Sequence, residues 1–225
     1  MRIGSIAAFF VVLIAAVTGA SAQDVTIDNF TTGNYQSPVF YFGATHDSVQ
    51  YGSMMGGSRD TNMNVCSLNS RCPAGNAWNQ PSAYGFYPAA GNQPAAMVQT
   101  AGYFTAPRID MAYGFHGTMN ENFTPYQKIR VNFRGLSQTL NFNILLYTGG
   151  YWAQGGCNIP AYSADFAIEL PLNKFVMTKG FTLSDVTYMN FIFQDGSAIG
   201  GVGFAITSIE LTNTTKPGNT ISCHF

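Results

Sequence analysis

Few side chains in this sequence could do chemistry, and their spacing is loose. The acids beyond residue 22 are Asp24, Asp28, Asp47, Asp60, Asp110, Glu121, Asp165, Glu169, Asp185, Asp195 and Glu210. Cleaving a glycosidic bond takes two carboxyls facing one cleft, roughly 5–10 Å apart. No strand face here carries a Glu-x-Asp-x-Glu cluster. Asp165 and Glu169, four apart, share a strand face, but it is the face opposite the apolar one and reads as solvated surface charge. His46 beside Asp47, and His116 with Asp110 or Glu121, are the only acid–base pairings that sequence proximity suggests, and a lone loop histidine is more often simply exposed. No serine sits in a Gly-x-Ser-x-Gly elbow. No catalytic residue is assigned on this basis.

The four cysteines are Cys66, Cys72, Cys157 and Cys223. An even number in an exported chain points to disulfides, and four cysteines allow three pairings. The simplest has Cys66 with Cys72 as a local staple in an Asn/Ser-rich loop, and Cys157 with Cys223 tying the tail to a central loop. Zinc ligation would need close C-x2–4-C pairs with histidines in step, which are missing. Asn29, Asn122 and Asn213 each begin an Asn-x-Thr sequon, relevant only to a eukaryotic source.

Aromatic residues say more. Phe, Tyr and Trp make up 14% of the chain. Most Phe fall on alternating core positions, but the two tryptophans do not. Trp78 is followed by Asn79 in a Pro/Asn-rich stretch, and Tyr151-Trp152-Ala153-Gln154 is bracketed by Gly149-Gly150 and Gly155-Gly156. A large ring in a glycine-rich loop can serve as a flat platform for a sugar ring, with amides bonding its hydroxyls. Trp152, Tyr151, Trp78, Gln154 and Asn79 are the candidate ligand-binding residues. The alternative is that each Trp folds back over the open end of a sandwich.

These groups must be positioned by strands. Ile129, Val131 and Phe133 alternate with Lys128, Arg130 and Asn132. Leu140, Phe142, Ile144 and Leu146 alternate with Asn141, Asn143 and Leu145, ending at Tyr147. Met189, Phe191 and Phe193 alternate with Tyr188, Asn190 and Ile192. Period two puts one face on a core. Gly, Asn, Ser and Pro separate the runs, and no helical period is sustained. The expected fold is all-β, an antiparallel β-sandwich with jelly-roll-like order and long Asn/Gly/Pro-rich loops. Pro94–Thr100 could form a helical turn, with Met97–Tyr103 also a strand candidate, and Cys66–Gln93 reads as a long inserted loop in which Ala83–Tyr87 is a strand candidate.

Residues 1–22 read as a secretory signal peptide: Arg2, an apolar run through Val17, then Thr18-Gly19-Ala20-Ser21-Ala22. The apolar run is too short to span a bilayer. The expected product is residues 23–225, one β-sandwich domain, extracellular and without a stable membrane anchor. Charged residues are only 9% of the chain, with net charge −1 and no basic cluster. A nucleic-acid partner is therefore not expected. The oligomeric state is left open.

The order of runs from Phe123-Thr124-Pro125 through Phe204–Thr212, with Ile27-Asp28-Asn29-Phe30 in front, resembles secreted jelly-roll sandwiches of the galactose-binding-like, carbohydrate-binding-module type. Gly56-Gly57-Ser58-Arg59-Asp60 before a strand is similar to a stretch in exported bacterial sandwich proteins. The resemblance implies the fold and a polysaccharide or glycoconjugate partner. It also implies a structural calcium near the chain ends, for which Asp28 and Glu210 are the candidate ligands, although no Asp-x-Asp-x-Asp-Gly loop is present. Three functions fit: a non-catalytic binder of an extracellular glycan, a structural or adhesive surface protein, and, last, a polysaccharide-cleaving enzyme. Fold alone does not choose among them.

Overall fold

The computed structural model describes residues 23–37, 45–65, 82–86, 95–101, 106–115, 119–196 and 201–223. Among them the chain forms two β-sheets packed face to face. In chain order the strands are β1 (Val25–Asp28), β2 (Tyr35–Gln36), β3 (Thr45–Tyr51), β4 (Ser58–Val65), β5 (Ser82–Phe86), β6 (Ala96–Thr100), β7 (Pro107–Tyr113) and β8 (Lys128–Leu136). Then follow β9 (Leu140–Thr148), β10 (Tyr151–Ile159), β11 (Phe166–Pro171), β12 (Val176–Met177), β13 (Tyr188–Asp195), β14 (Phe204–Thr212) and β15 (Thr220–Ser222).

The first sheet runs β15-β11-β8-β14-β6-β5-β2, and β1 also pairs with β14. Strands β1 and β6 share one edge of β14: β6 takes Phe204–Ile206 and β1 takes Ile209–Leu211. The second sheet runs β12-β10-β9-β13-β7-β4-β3. Every pairing is antiparallel except β11 with β15, which is parallel. The β-sandwich expected from the alternation is what forms.

The alternation explains the layering. On β9, Leu140, Phe142, Ile144, Leu146 and Thr148 are buried, and the residues between them are partly exposed. Ile129, Val131 and Phe133 of β8 and Ile206, Ile209 and Leu211 of β14 supply the opposing layer. Phe133 meets Phe193 across the sheets at 6.4 Å between ring centroids, and Phe193 lies 4.9 Å from Phe142. Each such buried side chain contributes roughly 1.5–3 kcal/mol.

One ionic cluster lies between the sheets. Asp28 of β1 accepts hydrogen bonds from Arg59 Nη1 (2.5 Å) and Tyr113 Oη (2.9 Å), both from the second sheet. Arg59 also donates to Gly33 O (2.6 Å) and Gln50 Oε1 (3.1 Å), and its guanidinium lies over the Phe30 ring at 5.3 Å. All its partners are acceptors, as a buried guanidinium requires. Phe30 has a left-handed backbone, φ 57°, steadied by its N–H donating to Asp28 Oδ1.

The structure corrects several expectations. Ala96–Thr100 is a strand, not a turn of helix. Within the Cys66–Gln93 stretch, the strand candidate Ala83–Tyr87 forms as β5. Glu169 is buried, because Arg130 Nε and Nη2 and Lys128 Nζ all close on its carboxylate at 2.6–3.0 Å. The disulfide Cys157–Cys223 forms and joins β10 of one sheet to the end of β15 in the other. Cys66 and Cys72 lie outside the described residues.

Candidate functional site

Gly149 and Gly150 both take positive φ, 52° and 93°. That is the backbone a two-residue hairpin turn needs, and glycine adopts it at little cost. The turn sets the β9–β10 register, with Tyr151 opposite Thr148 and Trp152 opposite Tyr147. A slip of one residue would turn Trp152 into the core. The Trp152 backbone is held further by Thr178: Trp152 N donates to Thr178 Oγ1 at 2.8 Å, and Thr178 N donates to Trp152 O at 2.9 Å.

On its other side Tyr147 faces Tyr188 of β13. Trp152, Tyr147 and Tyr188 therefore form one row across three strands on the outer face of the second sheet. Tyr147 and Tyr188 meet edge to face, 5.3 Å between centroids, and Phe115, 60% exposed, adds a ring 6.3 Å from Tyr188. Further along the same sheet, Tyr51 ends β3 opposite Ser58 and is 71% exposed.

Below this row the same face becomes polar. The second row runs Gln154, Leu145, Asn190, Ala112, Asp60 and Val49. The third places Asn143, Asp110, Asn62 and Asp47 in line, and the fourth has Asn158, Asn141, Gln194, Arg108 and Asn64. The amides are ordered by one another. Asn143 Nδ2 donates to Asn141 Oδ1 at 2.6 Å, and Asn141 Nδ2 donates to Asn158 Oδ1 at 3.1 Å. Arg108 holds Asp110 with two parallel bonds of 2.7 Å, and Asn190 Nδ2 reaches the same carboxylate at 3.3 Å. Burial first, then Tyr147, Asp110 and Asp60, pushes the Tyr188 phenol up to about 12. Its hydroxyl therefore stays a hydrogen-bond donor at neutral pH.

The residues singled out in the sequence are divided by this geometry. Trp152 and Gln154 share the outer face. Tyr151 has the opposite parity, that of buried Ala153, and its ring lies against Gly180, where an added Cβ would come within 2.8 Å. The glycine-rich segment is a strand rather than a loop. Trp78, Asn79 and His116 lie outside the described residues. His46 sits on β3 with Nδ1 3.2 Å from Tyr35 Oη.

Asp28 and Glu210 do not converge on a common calcium position. Asp28 points between the sheets onto Arg59 and Tyr113. Glu210 lies on the outer side, accepting from Asn132, Ser208 and Arg130. Adjacent positions on a pleated strand pair face opposite ways, and each carboxylate already has a guanidinium.

Sequence reasoning missed Tyr147, Tyr188, Arg108 and the Asn141–Asn143 pair. Their signal was an aromatic or amide at the outward position of an otherwise apolar strand. Two cavities, about 380 and 660 Å3, are lined by residues of the first sheet and the segments beside it. The aromatic residues of the smaller one, Phe133 and Phe166, are buried and stacked on each other at 4.8 Å. Neither cavity lines up exposed rings as the second sheet does.

No family model matches the chain, and no curated protein matches it. Among solved structures it is similar to the family 11 carbohydrate-binding module of cellulosomal cellulase Lic26A-Cel5E of Clostridium thermocellum. The identity is 13% over 91% of this chain and 100% of that one, with a TM-score of 0.39. It is also similar to a non-crystalline cellulose specific module, CBM28, at 18% identity over 53% of this chain and 75% of that one, TM-score 0.30. An exo-beta-agarase gives 9% identity over 87% of this chain and 26% of that one, TM-score 0.36. At such scores the fold rests on the strand pairing itself, and the likeness carries nothing about ligand.

Proposed function

We infer that this protein is a secreted, non-catalytic binder of an extracellular glycan, and that the outer face of the second sheet is where it binds. The observation that carries the reading is the row Trp152–Tyr147–Tyr188 beside a ladder of amides on one face. Rings offer flat apolar area to the C–H faces of a sugar, and Asn, Gln and Arg side chains bond its hydroxyls. Interlocked amides hold their orientation before the ligand arrives, which lowers the entropy lost on binding. The candidate site on this reading is Trp152 and Gln154 with Tyr147, Tyr188, Asn141, Asn143 and Arg108. Export agrees with the leader pattern of residues 1–22 and with a disulfide of the kind that persists in oxidising compartments.

The test is retention of residues 23–225 on a panel of insoluble and immobilised polysaccharides, with Trp152→Ala, Tyr147→Ala and Tyr188→Ala beside it. Retention on at least one glycan, weakened roughly ten-fold or more in these variants at a temperature where each is still folded, is the expected result. Retention on none would overturn the reading and bring the structural or adhesive role forward. Release of soluble sugar from any of them would instead identify an enzyme.

A further inference from the structure

The chain holds three Asn-x-Thr sequons, and the fold treats them differently. Asn29 and Asn122 both begin the tripeptide Asn-Phe-Thr. In each, the central ring is buried, Phe30 at 1% and Phe123 at 0% exposure, while the Asn and Thr on either side are exposed. The backbone N–H of each Phe is also held, donating to Asp28 Oδ1 from Phe30 and to Leu183 O from Phe123, both at 2.7 Å. Each tripeptide is thus anchored at its centre, and its two ends face solvent. The local hydrogen bonds repeat as well. Asn29 Oδ1 accepts from Thr31 N (3.2 Å) and Thr31 Oγ1 (2.6 Å), and Asn122 Oδ1 accepts from Thr124 N (2.9 Å) and Thr124 Oγ1 (2.6 Å). All of these bonds use the carbonyl oxygen. Among the described residues Nδ2, the atom that takes a sugar, is left free in both.

Asn213 is held otherwise. Its Nδ2 donates to Pro125 O at 2.9 Å, and its Oδ1 is shielded from solvent. Thr215 Oγ1 accepts from Lys128 Nζ at 2.9 Å, and the same ammonium holds Glu169 at 2.6 Å. A sugar on Asn213 Nδ2 replaces an N–H and adds bulk against the segment that the amide clasps, so a chain modified there cannot close this contact.

Resting on the export that residues 1–22 imply, we propose that Asn29 and Asn122 are N-glycosylation sites in a eukaryotic secretory pathway and that Asn213 is not. The donor is an oligosaccharide linked to a lipid pyrophosphate. Nδ2 forms a bond to C1 of the first sugar, and the bond from C1 to the pyrophosphate oxygen breaks. The lipid pyrophosphate leaves with the electron pair, and the amide gives one proton to a base of the transferase. Transfer precedes folding, so the fold decides which modified chains can close. Chains modified at Asn29 and Asn122 close with the glycan outside. Pro125 restricts the backbone of Thr124, which makes Asn122 the slower acceptor of the two. Neither Asn belongs to the rows of the second sheet, so this modification and the reading of that face stand apart.

The experiment is expression of the whole chain, with its own leader, in secreting mammalian cells, followed by peptide mapping of the secreted protein. Peptide-N-glycosidase in heavy-oxygen water converts each glycosylated Asn to a labelled Asp. Label at Asn29 in most molecules, at Asn122 in a smaller share and not at Asn213 is the expected result. Pro125→Ala keeps the carbonyl that Asn213 bonds and should bring Asn122 up to the occupancy of Asn29. Thr31→Ala should lose the label at Asn29 alone. The mapping of the unaltered protein stands even if a variant is poorly secreted. A secreted protein with Asn29 bare, with Asn122 bare in both the parent and Pro125→Ala, or with Asn213 labelled as heavily as Asn29 would overturn the assignment and leave the export reading intact. A chain kept in the cytosol with its leader uncut would overturn the export reading and the proposal with it.

Discussion

Tyr147 and Tyr188 are direct partners across β9 and β13, and their rings meet edge to face at 5.3 Å. Contact between an outward pair of this kind stabilises the sheet and fixes both rings in place before a ligand meets them. The pairing also leaves the Tyr188 hydroxyl partly out of water and near two carboxylates.

That environment has a signature in pH. The Tyr188 phenol is raised from 10.0 to about 12, burial being the largest cause. A group whose folded value is raised contributes stability fully below its unfolded value and loses it as pH climbs through the folded one. Stability should therefore fall between pH 10 and about 12, and Tyr188→Phe should flatten that fall. Ultraviolet titration of phenolate should show one transition near 12 that the variant lacks; its persistence in the variant would refute the assignment.

The buried pair Arg59–Asp28 should be costly to break from one side. Arg59→Met leaves a carboxylate between the sheets with no counter-charge, and urea unfolding should show a loss of about 3–5 kcal/mol. Arg59→Met combined with Asp28→Asn should recover part of it, because the stranded charge is gone. A single variant as stable as the parent would mean that water reaches Asp28.

Cys157–Cys223 closes a loop with a sequence separation of 66. Restricting the unfolded chain over that length is worth about 4 kcal/mol. Replacing both cysteines by serine should lower stability by that order. It should also make residues 213–223 the first site of limited proteolysis, since β15 has only three paired residues on β11. Cleavage elsewhere first would show that the strand pairing suffices to hold the tail.

Gly156 sits in the third row, opposite Asn143. A Cβ there would lie 2.4 Å from Phe142 O and 2.6 Å from Asn143 Oδ1. The carbonyl belongs to a paired strand and cannot yield, so Gly156→Ala should cost about 1–3 kcal/mol. It should also displace the Asn143 amide from Asn141, visible as shifted side-chain amide resonances of both residues. Unchanged resonances would contradict the close approach.

Part of the site could be read from single strands. Alternation in Leu140–Tyr147 and Tyr188–Phe193 put Tyr147, Tyr188 and the amides on the side away from the core, and Trp152 and Gln154 drew notice as large or polar groups among glycines. Gly149 and Gly150 punctuate the strand runs in the sequence and form a tight turn, after which parity sends Tyr151 and Trp152 to opposite faces, Tyr151 staying 48% exposed at the start of β10. His46 and Asp47 were read as loop residues, since Thr45–Tyr51 has only Val49 and Tyr51 to mark it as a strand.

Period-two patterning and turn residues determined from the sequence that this chain forms β-strands with one apolar face, because those signals act within a few residues of each other. They could not say which strands neighbour which. That Tyr147 lies between Trp152 and Tyr188, that Asp47 and Asp110 flank Asn62, and that Asp28 meets Arg59 while Glu210 faces away are consequences of strand order and register. Those are decided when the apolar faces of the whole chain are buried together, since only that collapse selects one pairing of strands over the others.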